Sequence, residues 1–366
     1  MLTEHFHNTQ KDTGHYSNDL RYVLSLQNTI AAFEEIKTWE GYAKTPLHSL
    51  DSMASDIGVK NIYYKDESSR FGLGSFKALG GTYGVLKFIH HALKKEIGDE
   101  VSMKDIHAGK YSEQISKYTV TTATDGNHGR SVAFGAKLFG CKCQIYIHSE
   151  VSSGRQKAME DLEATVNRVS GNYDESLQIC IEDAGKNNWY VISDTSYEGY
   201  TKYPRYIMAG YNVMAEEIID QIKDRPLPTH VFLQGGVGSF PGAICGYFWE
   251  KFPGNNIKFV VVESEHAPCL IRSAQNNQMT SVNIKQETMM AGLSCGEPSL
   301  LGWEILRSGT DDFITINDSS IPGLMRLLAK NNLKIEAGES SVAGLAGLIE
   351  SMEDQKIAKA MGLNKE

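Results

Sequence analysis

Three glycine-bearing segments hold the residues best suited to chemistry, and each carries a different kind of group. The first is Gly74-Ser75-Phe76-Lys77-Ala78-Leu79-Gly80-Gly81, which sets a lysine just ahead of a helical run through Tyr83, Val85, Leu86 and Ile89. A helix N-terminus favours anions, so an ammonium there opposes the dipole, and a depressed amine is what a nucleophilic, Schiff-base-forming lysine requires. Most lysines of the chain are solvated surface groups, and Lys77 taken alone supports no more than that.

The second segment, Gln234-Gly235-Gly236-Val237-Gly238-Ser239-Phe240-Pro241-Gly242, follows an apolar run and opens a helix. Successive glycines leave backbone N–H groups able to converge on a phosphate. No Lys-Ser/Thr follows, so this is not a P-loop, and Pro241 stands where a dinucleotide fingerprint needs its third glycine. A small terminal phosphate suits it better. One glycine would be an ordinary packing turn; three around a serine point to a ligand.

The third segment, Thr122-Ala123-Thr124-Asp125-Gly126-Asn127-His128-Gly129-Arg130, presents an acid and an amide where a ligand ring could lie. Asn127 could hydrogen-bond a phenolic oxygen and Asp125 could exchange a proton, although either residue singly could be a helix N-cap. His128 reads as a packing or supporting histidine rather than a base.

Such residues need elements to place them. β-rich runs alternate with helical ones: 61–65, then a helix from about Ala78; 118–124, then one from His128; 143–148, then one near Ser153. The alternation resumes with 189–193, a helix beginning near Ile207, 230–234, a helix near Ala243, and 259–264. This is the pattern of βαβ units, and strands apolar almost throughout belong to sheets covered on both faces. The expected class is α/β, with two interleaved domains and the ligand crevice beyond the C-terminal strand ends.

With 366 residues, 41% of them hydrophobic, the chain can bury roughly two cores. Its formal net charge of −9 gives no broad positive surface for nucleic acid or anionic lipid. The start is polar and His-rich without a signal-peptide pattern, and no apolar run approaches membrane-spanning length, so a cytoplasmic protein is expected. The six cysteines form no CxxC pair and suggest no zinc site, so no metal is expected, and Cys141 and Cys143 read as small core hydrophobes.

Taken in order, the SFKALGG lysine loop, the DGNHGR turn and the GGVGS loop resemble the fold-type II pyridoxal phosphate enzymes related to tryptophan synthase β. Within that group the chain is similar to the diaminopropionate ammonia-lyases. KDESSRFGLGSFKALGG, TDGNHGR, SDTSYEGYTKYPRYIMAGY, MMAGLSCGEPSLLGWEIL and AGESSVAG carry the likeness, from about Thr45 to Leu363.

The resemblance implies pyridoxal 5'-phosphate as cofactor and elimination of ammonia from D- and L-2,3-diaminopropionate, giving pyruvate and two ammonia. It implies Lys77 as the Schiff-base lysine, Asn127 at the cofactor's ring hydroxyl, and Gly235, Gly236, Val237, Gly238 and Ser239 around its phosphate, with Phe76 in the cofactor-binding set. Asp125 would take the proton from a D-substrate and Lys77 from an L-substrate, while Asp194 would lie near the distal amine. It further implies a large cofactor-binding domain of 1–85 and 195–366, a small inserted domain of 86–194, and a homodimer acting on a small amino acid. Serine/threonine dehydratase-like or β-replacement chemistry, and a truncated protein that binds cofactor without turnover, are the alternatives. The last stems from a final strand, which the resemblance places beyond the helical stretch 356–361 to reach the pyridine nitrogen, and for which the sequence as given has no counterpart.

Overall fold

The computed structural model describes residues 1–12, 14–124, 126–330 and 334–363. Two open sheets form its frame. The larger joins β1 (Leu2–His7), β10 (Asp312–Ile316), β9 (Lys258–Ser264) and β8 (His230–Gln234), in that order, with β1 antiparallel and the rest parallel. The smaller runs β6 (Thr165–Arg168), β5 (Lys142–Ile147), β4 (Thr119–Ala123), β7 (Tyr190–Val191), all parallel. A two-stranded antiparallel pair, β2 (Leu47–Ser49) and β3 (Tyr63–Lys65), precedes the lysine loop. The α/β expectation holds, and β4 and β10 are buried along their whole length, as strands covered on both faces must be.

Some boundaries differ from the sequence reading for identifiable reasons. The helix expected near Ile207 spans Lys202–Tyr211, and the one expected near Ala243 spans Ser239–Lys251. Each has a proline in its first turn, Pro204 and Pro241, where the missing N–H has no intrahelical partner to lose. The strand expected over 189–193 shortens to Tyr190–Val191. The polar N-terminus forms the edge strand β1: His5 Nε2 and His7 Nδ1 lie 2.8 and 3.0 Å from Asp312 Oδ1, and the Thr3 and Thr315 hydroxyls are 2.8 Å apart. Polar cross-strand pairs do there what apolar alternation does elsewhere.

The helix Lys77–Ile97 lies between Asn127–Phe139 and Lys202–Tyr211. Glycine permits that closeness. A Cβ on Gly80 would come 2.4 Å from the Tyr211 ring, and one on Gly81 would come 2.1 Å from Ser131 Oγ. Ser131 Oγ instead donates to the Lys77 carbonyl at 2.6 Å, fixing the helix start that bears the lysine. Upstream, buried Arg70 is gripped by Glu217 at 2.8 and 2.9 Å and by Glu67 at 2.8 Å, and Lys65 Nζ reaches Glu217 at 2.7 Å. This network ties the chain leading into the lysine loop to the helix Val213–Gln221. Cys141 and Cys143 are buried, as expected.

Candidate active site

Lys77, the first residue of its helix, reaches Asp194, three residues beyond the end of β7. Lys77 Nζ donates to Asp194 Oδ2 at 2.7 Å. The turn bearing Asp194 is pinned by Tyr200, whose hydroxyl donates to the Val191 carbonyl at 2.9 Å and accepts the Ser193 N–H at 3.0 Å. It is pinned again by Ser239, whose Oγ donates to the Asp194 carbonyl at 2.6 Å. One residue therefore serves both walls: its carboxylate holds the lysine and its carbonyl holds the start of the Ser239–Lys251 helix.

That helix start is the glycine loop. Gly236 and Gly238 have φ of 60° and 96°, the left-handed region that glycine enters without strain. A Cβ on Gly235 would lie 2.6 Å from Glu263 Cγ. Gly235 N–H pairs with the Val262 carbonyl at 2.8 Å and Gly238 N–H with the Gly235 carbonyl at 3.3 Å. The N–H groups of Gly236, Val237, Ser239 and Phe240 have no hydrogen-bond acceptor among the described residues. Four unpaired donors at the positive end of a 13-residue helix suit a phosphate dianion. Ser299 N–H donates to the Val237 carbonyl at 2.7 Å, and the Ser299 and Ser196 hydroxyls meet at 2.7 Å, tying this loop to the Asp194 turn a second time.

Phe76, half-buried, packs edge-on against Tyr211 at 5.0 Å between centroids and tilted against Phe240 at 4.6 Å. The three rings form an aromatic wall of the cleft that Lys77 also lines. Asn127 is exposed at the first turn of its helix, facing the same cleft, so the structure brings together Phe76, Lys77, Asn127, Asp194 and the glycine loop. Asp125 lies outside the described residues. The cleft between the sheets has a volume of about 1910 Å³. The four donors, the lysine amine and the aromatic wall fit pyridoxal 5'-phosphate. Among the described residues no cluster of His, Cys, Asp and Glu is arranged for a metal ion, and no helix is long and apolar enough to cross a membrane.

Two further residues meet at the centre: Tyr211, to which the sequence reading gave no role, and His128, which it took as a packing or supporting histidine. Tyr211 OH donates to Asp194 Oδ2 at 3.3 Å, and His128 Nδ1 stands 3.7 Å from the same oxygen. Burial works against ionisation of Asp194, but the His128 imidazole, the Lys77 ammonium and the hydrogen bonds from Lys77 and Tyr211 outweigh it, so its carboxyl lies well below the usual range. Burial, then the Asp194 charge, pushes the Tyr211 phenol far up. Burial keeps His128 below the ordinary histidine value. His128 belonged to the DGNHGR turn and Tyr211 ends the segment SDTSYEGYTKYPRYIMAGY, but nothing local to that segment marks a role for Tyr211, which arrives from another helix.

Comparison with known proteins gives a consistent picture. A family model described as pyridoxal-phosphate dependent enzyme matches residues 38–361. Diaminopropionate ammonia-lyase of Escherichia coli strain K12 is 37% identical over 334 residues, covering 89% of this chain and 82% of the relative. The Salmonella typhimurium LT2 protein of the same name is 37% identical over 343 residues, covering 91% and 85%. The crystal structure of the E. coli protein with an aminoacrylate-PLP azomethine reaction intermediate superposes with a TM-score of 0.88 at 34% identity, covering 100% of this chain and 92% of that one. A threonine deaminase from Solanum lycopersicum shares the fold at 20% identity and a TM-score of 0.75, over 96% and 91% of the two chains.

Proposed function

Because the chain belongs to the pyridoxal-phosphate dependent enzyme family, we propose that it eliminates ammonia from the D and L isomers of 2,3-diaminopropionate, the remainder taking up one water to give pyruvate and a second ammonia. The observation that carries this reading is the Asp194 carboxylate on Lys77 Nζ. A negative group held beside the reactive amine suits a substrate that brings a second, positively charged amine.

In this reading Lys77 binds the cofactor covalently, the loop Gly235, Gly236, Val237, Gly238 and Ser239 holds its phosphate, and Asn127 bonds the ring hydroxyl while Phe76 packs beside it. When bound, the cofactor supplies the conjugated ring that withdraws electrons from the substrate's Cα. Lys77 removes the Cα proton from the L isomer and Asp125 removes it from the D isomer. Asp194 orients the distal amine and keeps it protonated as it leaves. Phe76, Tyr211 and Phe240 form the aromatic wall of the site. The same reading takes the chain as a cytoplasmic homodimer and divides it into a large domain of 1–85 and 195–366 and a small domain of 86–194. In support of that division, every strand of the smaller sheet falls within 119–191.

Lys77→Ala should abolish both the absorbance of covalently held cofactor and ammonia release from either isomer; a variant that keeps both would remove the assignment. Asp125→Asn should depress turnover of the D isomer about a hundredfold more than that of the L isomer. Equal losses would count against two separate bases. Pyruvate release from serine, threonine or O-acetylserine in preference to the diamine would move the chain to a dehydratase or β-replacement role.

A further inference from the structure

The chemistry above asks Lys77 to do two incompatible things. Its ammonium neutralises Asp194, whose side chain is 16% exposed, yet it can act as nucleophile or base only as the free amine. A proton must leave Nζ, and a carboxylate so poorly solvated must not then be left without a cation. Tyr211 donates a hydrogen bond but carries no charge to offer.

His128 meets the requirement geometrically. Its side chain is 5% exposed. Its Nε2 lies 2.8 Å from the Ile192 carbonyl, which can only accept, so Nε2 carries a hydrogen and the ring is fixed in orientation. Its Nδ1 has no hydrogen-bond partner among the described residues and faces Asp194 Oδ2 at 3.7 Å, on the same oxygen as Lys77 Nζ.

We propose that His128 is the exchange partner of Lys77: a proton leaves Lys77 Nζ, passes across Asp194 Oδ2 and is bound by His128 Nδ1, which gives it back when the ammonium re-forms. The balance is one proton moved, one free amine made and one imidazolium made, with the net charge of the trio unchanged. Nδ1 need close by only about 1 Å to make a charge-assisted hydrogen bond. Among the described residues, the charged and titratable groups facing the imidazole are Asp194 from the turn after β7, Lys77 from its own helix, and Tyr211 beyond Asp194 on the helix Lys202–Tyr211. Burial and the Lys77 ammonium keep the imidazole neutral while Lys77 is charged, and Asp194 favours its protonation once that ammonium is gone. His128 is thus a positioning and proton-holding residue, and Asp194 stays ionised for the substrate's distal ammonium throughout.

The first test needs no cofactor and no substrate. In cofactor-free protein labelled with ¹⁵N-histidine, at neutral pH, His128 Nδ1 should be unprotonated in the wild type and protonated in Lys77→Ala. It should be unprotonated again when Asp194→Asn is added. Lys77→Met, which keeps the bulk of the stem, takes the place of Lys77→Ala if that variant does not fold. An imidazole in the same state with and without the lysine amine overturns the proposal. The second test rests on the proposed reaction. His128→Asn puts an amide near Nδ1 that cannot bind the proton, so kcat at pH 7 should fall about a hundredfold and recover toward alkaline pH, where Lys77 loses its proton to solvent. An unaltered pH profile in that variant also overturns the proposal. If the wild type leaves diaminopropionate untouched, the assigned reaction fails while the labelling experiment still decides the exchange.

Discussion

Asp194 collects an ammonium, a phenol and an imidazole on one oxygen, and removing its charge should be felt in both catalysis and stability. Asp194→Asn should lower kcat/KM for diaminopropionate about 10- to 100-fold, the range for a hydrogen bond to a charged group, and steady-state assay of both isomers measures it. Its folded carboxyl lies below the ordinary value, so the stability it contributes is present above the ordinary carboxylate pKa of about 3.9 and is lost as pH falls through the depressed one. Acid denaturation of the asparagine variant should lack that component. At this scale Lys77, Asn127 and the glycine loop stood out in the sequence because each sits in a short motif, and Asp194 was singled out only through the family resemblance. The sequence did not show Tyr211, nor the part His128 plays, because those depend on chains distant in sequence meeting at one oxygen.

Among the elements, the packing of Lys77–Ile97 against Lys202–Tyr211 is the tightest constraint on the site. Gly80→Ala would drive a methyl into the Tyr211 ring and the Ile207 carbonyl, at 2.4 and 2.7 Å, and should cost about 1–3 kcal/mol while displacing the phenol from Asp194. Gly185→Ala has open space around its Cβ in the helix Tyr173–Asn187 and should instead stabilise by about 0.4–1 kcal/mol. Chemical denaturation of the two variants gives the comparison. Beneath the glycine loop, Glu263 accepts the N–H groups of Leu270 and Ile271 at 2.8 and 2.7 Å, and burial pushes its carboxyl up to about 8. A raised folded value gives stability that is complete below the unfolded carboxylate pKa and is lost as pH rises through about 8. Glu263→Gln should therefore flatten the decline in unfolding free energy between pH 5 and 8. β8 and β9 were visible in the sequence as nearly continuous apolar runs, and β4 and β5 as β-rich runs ahead of helical ones. β1 and β6 were not: β1 pairs through histidines and threonines, and β6 carries the single apolar residue Val166. β10 has an apolar signal in Phe313, Ile314 and Ile316, but it comes after the stretch in which strand and helix alternate plainly.

On the scale of the whole molecule, the buried Arg70 and Glu217 pair fastens the segment before the lysine loop to the body of the protein. Glu217→Ala leaves a buried guanidinium without its main partner and should cost about 3–5 kcal/mol, read from the denaturation midpoint. The two sheets also differ in how their strands are drawn from the chain. The smaller is assembled from 119–191 without interruption, whereas the larger joins residues 2–7 to strands that begin at 230 and end at 316. During synthesis the smaller sheet can therefore close while β1, made before it, has no partner until β10 emerges some 300 residues later. The long wait leaves an unpaired strand edge exposed, and long-range pairing of this kind is slow. Recovery of soluble protein should respond strongly to slower translation or added holdase, with pulse-labelled chains gaining protease resistance in two stages, the 119–191 segment first.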